Sequence, residues 1–188
     1  MIVDTFQQNL ARGKVAETAI AKWLMARGNC VLPVYEKEIG EGKGPQFFIQ
    51  QGSFAAPDML TLPNCVWVEA KNKTVFTWHR KTQRWVTGID LKHYRDYLQV
   101  QSYSRRPVWL LFLHTCPRPA QRDLDSGSPS ACPVGLFGHS MRFLQANINH
   151  EHPNWGRTGM VYWAHAILKL LEPLDEFYRI VEGADNSN

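Results

Sequence analysis

The chain has 188 residues, of which 44% are hydrophobic and 12% aromatic, and its formal net charge is +4. This length and composition fit one globular domain over residues 1–188 with a substantial core. The sequence has no apolar run of about 18 residues, the length that a membrane-crossing helix needs. The opening MIVDTFQQNLARGK lacks the basic-then-apolar order of a signal peptide. We therefore expect a soluble, intracellular protein of the cytoplasm with no membrane partner.

The first predicted element is an amphipathic helix over residues 13–28. Its apolar residues recur at helical spacing on one face, and Gly28 is a natural C-terminal stop. Glu17 lies three residues before Ile20 and seven before Leu24, so it falls at the edge of the apolar stripe and not on the opposite face. We expect this acid to border whatever the helix packs against.

Four strand candidates follow the helix. CVLPVYE, residues 30–36, reads as a short strand, and the Gly-containing loop after it carries a possible brief strand at QFFIQ, residues 46–50. DMLTL and CVWVEAK, residues 58–62 and 65–71, come next. The short connection LPN between them predicts an antiparallel hairpin.

Residues 72–88 predict a second hairpin, in which TVFTW and RWVT flank the polar turn HRKTQ. This hairpin belongs to a basic segment: residues 71–95 contain seven Lys or Arg and one acid, a local charge of 7 − 1 = +6, so the rest of the chain sums to 4 − 6 = −2. A localised basic patch is typical of a polyanion-binding surface, and a solvated face is the alternative.

Asp90 is placed to begin a helix over residues 91–104, and a buried strand ending at His114 follows Pro107. Residues 115–132 form the clearest loop. Beyond it strand and helix patterns are mixed, and residues 182–188 read as a frayed tail. The order helix, strand, strand, strand, helix, strand, with an inserted hairpin, indicates an α/β fold around a mixed sheet.

The stretch PDMLTLPNCVWVEAK, residues 57–71, carries three charges within strand-like apolar sequence. Buried charges cost several kcal/mol unless they are paired or bind a metal. Asp58 opens one strand and Glu69 closes the next, so the hairpin brings both carboxylates to one end of the sheet. Ala70 points to the opposite face from Glu69 and Lys71 and leaves its carbonyl as a further oxygen ligand.

This pattern suits phosphodiester hydrolysis. Carboxylate and carbonyl oxygens are the ligands that Mg²⁺ prefers, and a bound cation polarises a phosphoryl oxygen. A lysine beside them offers positive charge where the scissile phosphate accumulates negative charge. The alternative is a surface ion pair between Glu69 and Lys71 on an edge strand.

The pattern Pro57-Asp58, ten residues, Glu69-Ala70-Lys71 resembles the PD-(D/E)XK nuclease superfamily, with its restriction-endonuclease-like or Holliday-junction-resolvase-like fold. The resemblance covers residues 13–114 and leaves 115–188 as a C-terminal extension. It implies a deoxyribonuclease that uses Mg²⁺, or Mn²⁺ in its place. It further implies that Asp58 and Glu69 hold the metal, Lys71 is the catalytic lysine and Glu17 is an additional acid.

Members of the RecB-like branch carry a Gln-x-x-x-Tyr pattern near the active site on the second helix. Gln99 and Tyr103 fit this pattern here, with Gln101 between them as a further candidate. Tyr97 is another, so the register of this helix stays open.

The second hairpin is the expected DNA contact, because Arg and Lys bind phosphates and an indole can stack on a base or wedge a groove. The alternative is that Trp78 and Trp85 pack on each other across the strands. The residues assigned to DNA are Lys73, Trp78, Arg80, Lys81, Arg84 and Lys92.

Several choices stay open. Within nucleases these are a junction resolvase, which would be a twofold homodimer, an end-processing nuclease and a restriction-type enzyme. From another class, a non-catalytic DNA-binding protein could keep this fold. Trp155, Tyr162 and Trp163 read as core, with a dimer surface as the second possibility.

Overall fold

The computed structural model describes the backbone of residues 2–34 and 45–185, and the side chains of residues 13–34 and 45–184. Positions 35 and 36 of the first predicted strand and residues 37–44 of the following loop lie outside the described residues. The helices are α1 (Ile2–Ala26), α2 (Leu91–Ser104), α3 (Gln121–Leu124), α4 (Met141–Ala146) and α5 (Leu174–Asp185), with a 3₁₀ turn at His165–Ile167. The strands are β1 (Cys30–Pro33), β2 (Gln46–Ile49), β3 (Gly52–Ala55), β4 (Met59–Leu62), β5 (Val66–Lys73), β6 (Thr77–His79), β7 (Arg84–Asp90), β8 (Val108–His114), β9 (Gly135–Ser140), β10 (His150–His152), β11 (Met160–Ala164) and β12 (Lys169–Glu172).

A six-stranded sheet in the order β1-β4-β5-β8-β9-β12 forms the centre of the structure. β5 and β8 are parallel, and the other neighbouring pairs are antiparallel, so the sheet is mixed. The elements α1, β1, β4, β5, α2 and β8 follow each other in the predicted order, and the predicted α/β fold with a central mixed sheet flanked by helices is confirmed. The helix over residues 91–104 has the predicted bounds.

The two faces of this sheet bury different cores, because successive residues of a strand point to opposite sides. On β8, Leu111 and Leu113 join the core with α1 and α5, whereas Leu110 and Phe112 join the core with α2 and α4. The first core is closed by an interaction between distant parts of the chain. The Glu172 carboxylate of β12 accepts a hydrogen bond of 3.0 Å from the Trp23 indole of α1 and pairs with an arginine at the end of the same helix.

A second, four-stranded sheet in the order β10-β11-β7-β6 packs on the α2 side of the central sheet. It contains the predicted second hairpin as β6 and β7. The hairpin does not project alone from the fold, because β7 pairs with all of β11, from Met160 to Ala164. β7 continues at Asp90 directly into α2, but the Asp90 side chain makes no capping hydrogen bond.

The chain after residue 114 is integral to both sheets. β9 and β12 extend the central sheet, and β10 and β11 complete the second. Residues 182–185 continue helix α5, so the prediction of a frayed tail is wrong for them, and residues 186–188 lie outside the described part. No helix in the described part is long and apolar enough to cross a membrane.

Gly88 allows β7 and β11 to pack closely. A Cβ atom at this position would collide with the backbone oxygen of Val161 and come within 2.7 Å of the Tyr162 ring. We expect Gly88→Ala to lower the free energy of unfolding by about 2 kcal/mol, because overpacking forces the backbone to shift. Urea unfolding followed by circular dichroism measures this change.

Gly183→Ala is the matched control. Gly183 lies on the exposed side of α5, and a Cβ atom added there would meet nothing within 4 Å. An alanine inside a helix is more favourable than glycine by up to about 1 kcal/mol. Equal effects of the two substitutions would contradict the close packing at Gly88.

Candidate metal and nucleic-acid site

The register of β4 and β5 sets the position of Asp58. Met59, the first residue of β4, pairs with Val68, so Asp58 follows in register opposite Glu69. Asp58 Oδ2 accepts a hydrogen bond of 2.8 Å from the backbone N–H of Ala70. The predicted hairpin thus brings the two acids together, but Glu69 does not close its strand, because β5 continues to Lys73.

The Ala70 carbonyl lies on the same side of β5 as Asp58. The N–H of Trp67 bonds the Pro107 carbonyl at 2.9 Å and therefore points toward β8. Backbone groups of successive strand residues point to opposite neighbouring strands, and the N–H and C=O of one residue point the same way. Ala70 lies three residues after Trp67, so its backbone groups point away from β8. The N–H and carbonyl of Ala70 consequently both face Asp58, beyond the end of the β4 pairing, while the Ala70 side chain is buried against α1.

Glu69 and Lys71 form an ion pair on the face of β5 that meets α2. Glu69 is only 1% exposed, and β5 is an internal strand between β4 and β8. The alternative of a surface pair on an edge strand is therefore wrong. One carboxylate oxygen of Glu69, Oε2, is buried and has no hydrogen-bond partner among the described residues. A buried charged oxygen without a partner is costly, so it calls for a ligand.

The electrostatics of the acids indicate an excess of negative charge. Burial, and then the charge of Glu69, raises the pKa of the Asp58 carboxyl to about 8. The Lys71 ammonium and the Ala70 N–H act in the opposite direction without cancelling this rise. Burial alone would lower the pKa of Lys71, but the charges of Glu69 and Asp58 raise it above its ordinary value. Lys71 is therefore held as a cation.

Glu17 of α1 lies within electrostatic range of this group. Burial raises the pKa of Glu17, the charge of Lys71 lowers it and that of Glu69 raises it. Its side chain is half-buried, in agreement with its place at the edge of the apolar stripe. Glu17 thus belongs to the same group of interacting charges, on the helix that packs against the other face of the sheet.

On α2, the residue that reaches the site is Tyr97. Burial and the hydrogen-bonded Glu69 carboxylate hold the pKa of Tyr97 well above its usual value. Gln99 is exposed and Gln101 half-buried, whereas Tyr103 is 57% exposed and stacks on Phe54 with ring centroids 5.6 Å apart. Of the candidates on this helix, the structure brings Tyr97 and not Tyr103 to Glu69.

His93 is a site residue that the sequence pattern does not reveal. It lies in the first turn of α2, with Nδ1 3.8 Å from an Asp90 carboxylate oxygen. Burial lowers the pKa of His93, the charge of Lys71 lowers it further and that of Glu69 raises it. Its ring also stacks against Tyr97, with centroids 6.0 Å apart. A single histidine among charged residues has no motif of its own, so only the fold shows that it borders the site.

The donor set suits a hard divalent cation. Asp58, Glu69 and the Ala70 carbonyl provide oxygen atoms only, which favours Mg²⁺ or Mn²⁺ over zinc. Among the described side chains, no three from His, Cys, Asp and Glu converge closely enough to enclose an ion. Two carboxylates, a carbonyl and open positions for water and phosphate are the arrangement in which Mg²⁺ commonly binds. The unpartnered Glu69 oxygen fits that role.

The predicted DNA contacts separate into two groups. Arg80, Lys81 and Arg84 are exposed at the tip of β6 and β7. This tip is about 20 Å from the α2 end of β7, since six residues at about 3.3 Å each separate Arg84 from Asp90. The tip therefore lies at the end of β7 that is remote from Asp90 and α2.

The other three residues are engaged within the protein. Trp78 pairs directly with Trp85 across the strands, in an edge-to-face contact with ring centroids 5.1 Å apart. This is the packing of the two indoles that the sequence offered as the alternative to a DNA contact. Lys92 forms an ion pair of 2.5 Å with Asp96. Lys73 is half-buried, and burial followed by the charge of Lys71 lowers its pKa to about 8.

Comparisons with known proteins give two solved structures. One is Hjc, a Holliday junction resolvase from the archaeal hyperthermophile Archaeoglobus fulgidus, with 9% identity and a TM-score of 0.48 over 92% of this chain and 99% of that one. The other is a nuclease from a fusselovirus, with 15% identity and a TM-score of 0.38 over 98% and 95%. No family model and no curated protein matches the chain. At these TM-scores the likenesses assign no role to any residue, and the roles rest on the geometry of the site.

The raised pKa of Asp58 makes stability depend on pH. The folded state keeps this proton up to about pH 8, whereas the unfolded chain releases it near its ordinary value of 3.8. Stability from this group is therefore lost as pH rises from about 4 to 8, by at most about 1.4 kcal/mol per pH unit. We expect Asp58→Asn to gain stability relative to the parent from pH 5 to 8, measured by urea unfolding in EDTA.

Asp125→Asn is the control for this measurement, because Asp125 is an exposed acid on the turn after α3. The difference in stability between the Asp125→Asn variant and the parent should stay constant over the same pH range. A constant difference between Asp58→Asn and the parent would show that Asp58 ionises normally in the folded protein.

Proposed function

We propose that this protein is a nuclease that hydrolyses phosphodiester bonds in DNA with the help of a divalent cation. The observation that supports this most directly is the buried Glu69 carboxylate with one unpartnered oxygen, fixed on an internal strand beside Asp58. A purely structural ion pair needs one carboxylate and one ammonium. Here a second carboxylate and the Ala70 carbonyl lie beside the pair of Glu69 and Lys71, so the group has more oxygen donors than one lysine can satisfy.

Asp58, Glu69 and the Ala70 carbonyl would hold Mg²⁺, or Mn²⁺ in its place. When bound, such an ion supplies Lewis-acid polarisation of the scissile phosphate and lowers the pKa of the attacking water. Asp58 is oriented for this task by the hydrogen bond from Ala70 N–H, and Tyr97 fixes Glu69 from α2. The ligands are thus positioned before a substrate arrives.

Lys71 acts as a positive charge and a hydrogen-bond donor. Because the neighbouring carboxylates raise its pKa, it is protonated at neutral pH and cannot serve as the base. It stabilises the charge that develops on the phosphate as the water oxygen bonds to phosphorus and the bond to one sugar oxygen breaks. The water gives up a proton to solvent, and the departing oxygen takes one. Glu17 supports the site by orienting water.

The exposed tip of the second hairpin would hold the flanking DNA. Its distance of about 20 Å from Asp90 corresponds to roughly six base pairs at about 3.4 Å per strand step. Arg80, Lys81 and Arg84 are exposed to phosphates at that distance, whereas Trp78 stabilises the hairpin. We assign residues 1–188 to one nuclease domain, with residues 115–188 completing both sheets.

Removing a metal ligand or the lysine should abolish cleavage. We expect Asp58→Asn, Glu69→Gln and Lys71→Ala each to lower the cleavage rate at least about 100-fold, because each removes charge on which the transition state depends. Single-stranded, duplex and branched DNA are incubated with Mg²⁺ or Mn²⁺, and products are resolved on denaturing gels. EDTA should stop the reaction of the parent.

Asp125→Asn and Lys169→Ala are matched controls, since both residues are exposed and lie away from β4 and β5. Both should cut at the parent rate. Salt-dependent DNA binding by the parent without any metal-dependent cleavage would instead favour a non-catalytic DNA-binding protein. Sedimentation of the parent separates a twofold resolvase, which requires a dimer, from an end-processing monomer.

The hairpin tip should determine the salt dependence of binding. Replacing Arg80, Lys81 and Arg84 together by Ala is expected to weaken duplex binding and to reduce the slope of log K against log salt by about 2.7, since each phosphate contact contributes about 0.9. Fluorescence anisotropy with labelled DNA at several salt concentrations in EDTA measures both quantities.

The matched triple variant replaces Arg142, Lys169 and Arg179, which are also two arginines and one lysine. These residues are not part of the second sheet and lie on α4, β12 and α5. If both triple variants reduce the slope equally, the effect reflects net charge and not the hairpin tip.

A further inference from the structure

Among the described residues of the second sheet and its loops, Trp155 is the one large aromatic side chain that faces solvent. It is 56% exposed, whereas Trp163 on the adjoining β11 is fully buried and Trp85 on β7 is 9% exposed. Trp155 lies in the loop of residues 153–159 between β10 and β11, with exposed Arg157 two positions on. An indole beside a guanidinium on a surface loop is a common composition for ligand contact.

The loop is built to hold this indole in place. The backbone N–H of Trp155 donates to the His152 carbonyl at 3.1 Å, and the two rings meet edge-to-face with centroids 5.7 Å apart. Gly156 and Gly159 have φ values of +68° and +77°, which glycine adopts without strain. A Cβ at Gly159 would lie 2.8 Å from the Pro153 oxygen, so the two ends of the loop are in close contact. The tip is therefore a compact turn.

The same loop is tied to the helix that borders the candidate metal site. The Gly159 carbonyl accepts a hydrogen bond of 2.9 Å from Leu91 N–H, the first residue of α2. The Thr158 hydroxyl lies 3.4 Å from Asp90, whose carboxylate also approaches His93. His93 in turn lies within the field of Lys71 and Glu69. The loop that carries Trp155 is thus attached to the first turn of α2, whose His93 borders the candidate site.

We propose that Trp155 stacks on an unpaired base of the DNA substrate, with Arg157 on an adjoining phosphate. This inference rests on the proposed nuclease function and specifies its substrate class as DNA with an interrupted base stack, in preference to continuous duplex. In a continuous duplex each base is covered on both faces by its neighbours, so an indole gains nothing without first breaking a stack. Where a base is unpaired, its face is available, and stacking on an aromatic side chain tolerates any sequence.

The charge distribution agrees with this assignment. Phosphates need cations and bases need flat apolar surface, and the loop offers one of each within three residues of chain. A contact with a second copy of this chain would also cover Trp155, and it has a different signature, because it would change the oligomeric state and not the choice of DNA.

The test is a binding measurement in EDTA, which separates recognition from cleavage. DNA carries 2-aminopurine either at an unpaired position or inside a continuous duplex, and binding is followed by its fluorescence and by anisotropy. We expect Trp155→Ala to weaken binding to the unpaired form about tenfold or more and to leave duplex binding within about twofold. Trp155→Phe should restore most of the affinity, since a phenyl ring still stacks.

Tyr178→Ala is the matched control, because Tyr178 is a 40% exposed aromatic on α5. It should leave both affinities unchanged. Equal losses on the two forms of DNA with Trp155→Ala, or no loss on either, would overturn the proposal. A change of sedimentation coefficient with unaltered DNA preference would overturn it in favour of a contact between copies.

Failure of the stacking proposal can be distinguished from failure of the nuclease assignment. If the parent prefers the unpaired form through Trp155 but cuts no DNA with Mg²⁺ or Mn²⁺, the stacking role stands and the catalytic role fails. If the parent cuts DNA and Trp155→Ala keeps the full preference, the stacking role alone fails.

Discussion

The hydrogen bond from the Ala70 N–H to Asp58 is the interaction on which the site depends. It forms just past the last residue pair of β4 and β5, so the register of these two strands determines where the Asp58 carboxylate lies. Glu69 is buried because β5 is an internal strand of the sheet. With two acids fixed so closely, Lys71 balances the charge of Glu69, and Asp58 keeps its proton up to about pH 8.

The second sheet extends this local arrangement into a surface. β7 begins at the basic tip and ends at Asp90, where α2 starts and where the Trp155 loop is attached. One strand thus connects a region of exposed cations, an aromatic loop and the helix that supplies Tyr97.

Much of this was predictable from local patterns. The β4 and β5 hairpin has a short polar turn between alternating apolar strands, and α2 has clear ends, so both were predicted correctly. The residue of α2 that reaches Glu69 was not, because the Gln-x-x-x-Tyr pattern fits Gln99 and Tyr103, and only the packing of the helix against β5 selects Tyr97. Strands β11 and β12 also pair with β7 and β9, which are distant in sequence, and local periodicity contains no information on such pairs. The exposure of Trp155 against the burial of Trp163 has the same origin.

The contact of Glu172 with Trp23 joins residues 149 positions apart. Phe177 of α5 fills the same core against the first helix, and Glu17 lies on that helix. During synthesis α1 leaves the ribosome before the strands on which it packs, and the part of its apolar face that meets Glu172 and Phe177 stays uncovered until those residues follow. A shortened chain that ends before β12 would keep Asp58 and Glu69 on their hairpin but lack the contacts of Glu172 and Phe177 that complete the core around α1.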